Sequence, residues 1–161
     1  MDLAENRGID WGKWRGIVFL DPFGMQVRWR TIAALAKTRG LEVFLNFPIG
    51  MAIQRLLRRD AKFTDRGRRK LDEYFGDPGW FDVVYPKTQG LFGPQQAKAG
   101  DAERRLVLWY GERLGEIFGY VSHPYLMRNT RGGHLYFLIF AGPNKTGKRI
   151  ADDVLKGGFK I

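Results

Sequence analysis

Two short stretches carry residue types that could act on a ligand. Asp21-Pro22-Phe23-Gly24 and Asn46-Phe47-Pro48 each set a polar side chain beside a proline and an aromatic ring. A carboxylate at a strand end can accept a hydrogen bond from an exocyclic amine, and a neighbouring ring can stack on a planar group. Pro22 stiffens the loop, so both groups are presented at little ordering cost. Gly24 permits a turn closed to other residues. The chemistry this predicts is recognition of an amine or a base by Asp21 and Phe23. The alternative is a strand end whose acid caps the following turn.

Charge supplies a second candidate. The chain has Lys+Arg 27 against Asp+Glu 17, a formal net charge of +10, which favours a polyanionic partner. Much of the excess is local: Arg55, Arg58, Arg59, Lys62, Arg66, Arg68, Arg69 and Lys70 are opposed only by Asp60 and Asp65 within that segment. Such a run is either a solvated helical face or a contact surface for nucleic acid or another polyanion.

Other motifs carry less. Gly142-Pro143-Asn144-Lys145-Thr146-Gly147-Lys148 has the glycine–lysine spacing of a phosphate-binding loop. Arg149 stands where a hydroxyl should hold magnesium, and Pro143 removes a backbone donor, so a capped turn is expected. His123 and His134 are far apart, without partners at metal spacing, and no metal is expected. Ser122 is the only serine and sits in no nucleophile elbow. With no cysteine, thiolate chemistry and Cys-ligated metals are excluded within the chain.

These residues need elements to hold them. Gly16–Leu20 is a continuous apolar run, expected as a buried strand of a parallel sheet, apolar on both faces. Trp29, Ile32, Ala33 and Ala36 have helical spacing, with Gly40 as the expected cap. Leu41–Phe47 is a second strand, so the three elements predict a right-handed βαβ unit. Parallel neighbours end on one sheet edge, which should bring Asp21 and Asn46 together. A helix from Met51 through Ile53, Leu56 and Leu57 should run into the basic segment. Thr64 or Asp65 should cap a helix reaching Phe75 and ended by Gly76. Asp77–Trp80 reads as a turn and Tyr85–Gly100 as a loop. Asp101 should open a long helix with Val107, Tyr110, Leu114 and Ile117 inward. A proline-interrupted β segment (Tyr120–Met127), the turn Arg131-Gly132-Gly133 and the strand Leu135–Phe140 predict an antiparallel hairpin. A last helix carries Ile150, Val154 and Leu155, and Trp11 and Trp14 are expected as packing anchors. At 161 residues a single domain is expected, with a helical and loop insertion over about 50–100. No apolar run approaches the ~20 residues of a membrane span. The polar N-terminus is no secretory signal, which fits the cytoplasm.

Asp-Pro-Phe-Gly after an apolar strand resembles the fourth motif of amino-group methyltransferases. The wider pattern is more specific: Leu20–Val27, Trp29, Thr31-Ile32, Leu45-Asn46-Phe47-Pro48 and Arg55-Leu56-Leu57 are similar to the three-Cys-motif partner proteins, TcmP. Phe75-Gly76 with Trp80, Leu91-Phe92-Gly93, Asn129 and Leu135-Tyr136-Phe137-Leu138 continue the resemblance across nearly the whole chain.

The resemblance implies a Rossmann-like, S-adenosylmethionine-dependent methyltransferase, and as its partner a protein carrying three cysteines in a radical-enzyme-like motif. Asp21, Pro22 and Phe23 would be catalytic, Asp21 orienting the amine and Phe23 stacking. Gly24, Arg28, Asn46, Arg55, Arg58 and Arg59 would bind substrate, such as an amino group of a nucleic-acid base. The glycine-rich cofactor loop of such enzymes has no match here. The chain is therefore expected to correspond to the C-terminal portion, from the fourth strand onward, of an incomplete methyltransferase-like domain. In that case Gly16–Leu20 becomes an exposed apolar edge. A non-catalytic basic module that binds nucleic acid or a partner protein is the competing expectation.

Overall fold

A computed structural model describes residues 9–22, 24–49, 53–90 and 93–156. Phe23, Met51, Leu91 and Phe92 lie outside the described residues. In chain order the elements are β1 (Gly16–Leu20), α1 (Trp29–Lys37), β2 (Leu41–Phe47), α2 (Gln54–Leu56), α3 (Asp65–Phe75), α4 (Trp80–Val84), β3 (Lys87–Gly90), β4 (Gly93–Gln96), α5 (Ala102–Phe118), β5 (Tyr120–Val121), β6 (Tyr125–Arg128), β7 (His134–Gly142) and α6 (Lys145–Lys156). They form a mixed α/β fold on a five-stranded, mostly antiparallel sheet of order β1-β2-β7-β5, with β6 also on β7.

β1 and β2 are parallel, Leu20 opposite Leu45, and α1 connects them as the apolar spacing predicts. β7 is antiparallel to β2, with Phe44 opposite Phe140. β5 and β6 pair in turn with β7, as the expected hairpin requires. Between those two strands Pro124 interrupts the pairing. Ser122 fills in locally: its N–H donates to the Phe140 carbonyl, and its Oγ accepts the Phe140 N–H at 2.9 Å.

β1 departs from the expectation of two buried faces. It is an edge strand, with Ile17 69% and Phe19 59% exposed while Val18 and Leu20 pack toward the core. Trp14 is also exposed, whereas Trp11 packs so closely on Gly40 that no Cβ would fit there. The left-handed residue after α1 is Arg39, φ 53°, and not Gly40.

The core lies on the face of β2 that carries Leu41, Val43, Leu45 and Phe47. Phe47 packs on Tyr110 of α5 at 4.9 Å and on Tyr74 of α3 at 6.2 Å between ring centroids. Arg113 locks this layer: its guanidinium lies over Trp29 at 4.2 Å and Trp109 at 4.9 Å, and donates to the Phe75 carbonyl. A cation there meets the negative end of the α3 dipole as well as two ring faces. α3 begins at Thr64, whose hydroxyl accepts the Gly67 N–H at 3.1 Å, and ends at Gly76.

The segment around 50–100 is richer than an insertion of helices and loop. α2 spans only Gln54–Leu56, and in the turn beyond it the Asp60 carboxylate takes both the Arg58 side chain and the Lys62 N–H, each at 3.2 Å. The Asp77–Trp80 turn feeds α4, and Lys87–Gln96 is an antiparallel hairpin. α6 is the expected last helix, with Ala151, Asp152 and Leu155 inward and Ile150 and Val154 exposed. Among the described residues no helix is long and apolar enough to cross a membrane.

Gly76 has φ 67° and Trp29 occupies the space of its missing Cβ, whereas Gly132, φ 79°, faces open space. A left-handed alanine costs about 1–2 kcal/mol by conformation alone. Gly76→Ala is expected to lose clearly more than Gly132→Ala in urea titration, the difference being the Trp29 collision.

Candidate functional site

Because β1 and β2 are parallel and in register, the residues after Leu20 and Leu45 arrive side by side at one edge of the sheet. Asn46 Nδ2 donates to Asp21 Oδ1 at 2.7 Å, the contact anticipated from the two strand ends. The amide orientation follows from the carboxylate, since the reverse would set two acceptors together. Asn46 is only 5% exposed, whereas Asp21 reaches solvent. The two ends of the pair therefore differ in role. Asn46 is fixed by burial and holds Asp21, whose Oδ2 has no partner among the described residues.

The loop after Asp21 is held from beneath. Gly24 takes φ 71°, the turn its sequence position predicts, and Met25 is buried in the core cluster. Pro22 is half-buried between them and Asp21. Phe23, expected to stack on a planar group, lies outside the described residues. The Asn46 Oδ1 atom is buried without a partner. Leaving such an acceptor unpaired costs on the order of 1–3 kcal/mol, so the fold tolerates strain at this strand end.

The other expected site residues sit elsewhere. Arg28 is the N-terminal flank of α1 and its Nε lies 3.3 Å from Glu73 Oε2 of α3. With Trp29, Arg30, Glu73 and Gly76 it lines an open depression of about 330 Å³. Arg58 is held by Asp60 at 3.2 Å, and Arg55 and Arg59 are exposed. None of these four arginines makes a hydrogen bond or ion pair with Asp21 or Asn46.

The phosphate-loop spacing resolves into a helix cap. Asn144 Oδ1 accepts the Thr146 N–H at 2.8 Å, and Lys148 Nζ is bound to Asp152 Oδ2 at 2.6 Å. Asp152 also accepts the His123 N–H at 2.9 Å. Burial pushes this carboxyl up, but the Lys148 hydrogen bond and the His123 N–H outweigh it, and its pKa is net lowered. Asp152 thus ties α6 to the β5–β6 connection, and Lys148 is committed to that carboxylate within α6. One pairing had no sequence signal: His134 Nδ1 lies 2.8 Å from Glu103 Oε2, tying the start of β7 to the first turn of α5. The residues are 31 positions apart, so only the fold brings them together. Among the described residues no group of three or more His, Cys, Asp or Glu side chains could hold a metal ion.

No protein-family model, curated protein or solved structure matches the chain.

The Asp21–Asn46 pair yields a double-mutant test. Asp21→Ala leaves the buried Asn46 N–H without its partner and is expected to cost about 1–3 kcal/mol in urea titration. Adding Asn46→Leu should recover most of that loss, giving a clear coupling energy. Strictly additive losses would mean that the two side chains are not bonded.

Proposed function

We propose that Asp21 and Asn46 form the amine-facing wall of a methyltransferase-like site of the TcmP type, one that uses S-adenosylmethionine. The observation that carries this reading is the 2.7 Å hydrogen bond between them at the joint end of two parallel strands. It fixes one carboxylate oxygen and leaves the other to accept hydrogen bonds from an amino group. An amine so held presents its lone pair to a methyl donor in a near-attack geometry. Phe23 would stack on the ring that bears the amine.

The sheet supports the same reading. Two parallel strands followed by an antiparallel hairpin is the arrangement implied by a methyltransferase sheet taken from its fourth strand onward. Among the described residues the outer edge of β1 has no pairing strand, and its outward Ile17 and Phe19 are exposed. Strands bearing a glycine-rich cofactor loop would pair there, covering the apolar face and closing the second wall of the site. S-Adenosylmethionine supplies the electrophilic methyl group when bound. This chain's contribution is to orient the amine and exclude water beside it. A three-Cys-motif protein is the partner that the resemblance implies.

The test is methyl transfer by a protein that carries these strands together with residues 1–161. Asp21→Ala is expected to lower the transfer rate by 100-fold or more, on the scale of a lost positioning contact, while S-adenosylmethionine affinity stays within twofold or so. Unchanged transfer would remove Asp21 from the reaction.

A further inference from the structure

The basic segment divides into two populations. Arg58 is held by Asp60, and Arg68 is held by Asp72 and lies over Trp80 at 4.8 Å and Phe81 at 4.2 Å. Arg55, Arg59, Lys62, Arg66, Arg69 and Lys70 are exposed and have no acidic partner among the described residues. Arg66, Arg69 and Lys70 share one face of α3 by their i, i+3, i+4 spacing, opposite buried Leu71 and Phe75. Asp65 is the unpaired acid beside them.

The turn that carries the other three cations is built firmly. The Tyr85 hydroxyl donates to the Arg58 carbonyl at 2.7 Å, and the Lys98 N–H donates to the Arg59 carbonyl. Phe63 is set among Trp80, Phe81 and Tyr85 with ring centroids 5.6–6.2 Å apart. The Asp60 carboxyl is held below its usual range, first by the Lys62 N–H and also by Arg58. Repelling cations are thus displayed on an ordered scaffold, which removes the ordering cost of a flexible basic tail.

We propose that this face, from Arg55 to Lys70, docks the phosphate backbone of a nucleic-acid duplex. Four of the six free cations are arginines, whose fork geometry suits phosphate oxygens. None of the large exposed apolar residues falls within Arg55–Lys70, so the face lacks the apolar half of a membrane-binding surface. The same lack of exposed rings means no platform for stacking single-stranded bases. Backbone contact, independent of sequence, is what remains. None of these six cations makes a hydrogen bond or ion pair with Asp21 or Asn46, and the proposal rests on the exposed charges alone.

The experiment is fluorescence anisotropy of the 161-residue chain with a labelled 20-base-pair duplex over a salt series. Each neutralised phosphate adds about −0.9 to the slope of log K against log salt for B-form DNA. The triple variant Arg59→Gln, Arg66→Gln, Arg69→Gln is expected to flatten that slope by about 3 and weaken binding by ~10-fold or more at moderate salt. A charge-matched control, Lys37→Gln, Lys145→Gln, Arg149→Gln, should retain most of both. Circular dichroism melts confirm that each variant is folded. Equal weakening by the two triples would show bulk charge at work and overturn the proposal. So would binding to polyglutamate or to phosphatidylserine vesicles in preference to the duplex.

Discussion

Everything at the candidate site depends on one pairing, the parallel register of β1 on β2. A shift of a single residue would rotate Ile17 and Phe19 into the core and carry Val18 and Leu20 out. It would also part Asp21 from Asn46, which meet because Leu20 stands opposite Leu45. The register is held from one side only. Val18 and Leu20 pack on the core, Phe47 seats β2 among Tyr74, Phe75 and Tyr110, and the outer face of β1 contributes nothing. The site is therefore firmly built on the β2 side and open on the β1 side. Asn46 is buried, and the acid it holds faces solvent.

The charged residues follow the same economy of position. Arg113, Arg68 and Lys148 serve the fold: one closes the α3 terminus between two tryptophans, one covers Trp80 and Phe81, and one clamps Asp152. In each case the cation sits against a ring face or within reach of an acid four residues along the helix, where desolvation is offset locally. Six of the cations left without an acidic partner among the described residues fall on α2, α3 and the turn between them. A high net charge alone does not distinguish these groups, and sequence proximity misleads, since Arg68 and Arg69 are neighbours with opposite roles.

Much of the frame was legible in the sequence. The limits of β1 and β2, the Thr64 and Gly76 caps of α3, the long α5 and the final hairpin all follow from periodicity and turn chemistry, which are local. The meeting of Asp21 with Asn46 was legible too, because parallel pairing turns two strand ends into one place. What escaped is non-local or polar. The β3 and β4 strands are made of Lys, Thr, Gln, Gly and Pro94 and have no apolar alternation to announce them. α2 gives way at Leu57 to a turn in which the Asp60 carboxylate takes the Arg58 side chain and the Lys62 N–H and Ala61 is left-handed, none of which has an apolar signature. The exposure of Ile17 and Phe19 could not be read from an apolar run, since such a run looks the same on an inner strand and on an edge. The His134–Glu103 pair joins elements that only the tertiary fold makes neighbours.

The central claim is that this chain forms the amine-facing wall of a site whose cofactor wall pairs on the open edge of β1. The most direct measurement is calorimetric titration of the 161-residue chain with S-adenosylmethionine. The account predicts no saturable binding, because the proposal gives Asp21 and Asn46 to the acceptor amine and the sequence has no match to a glycine-rich cofactor loop. Tight, saturable, one-to-one binding would place the cofactor site within this chain and contradict the division into two walls.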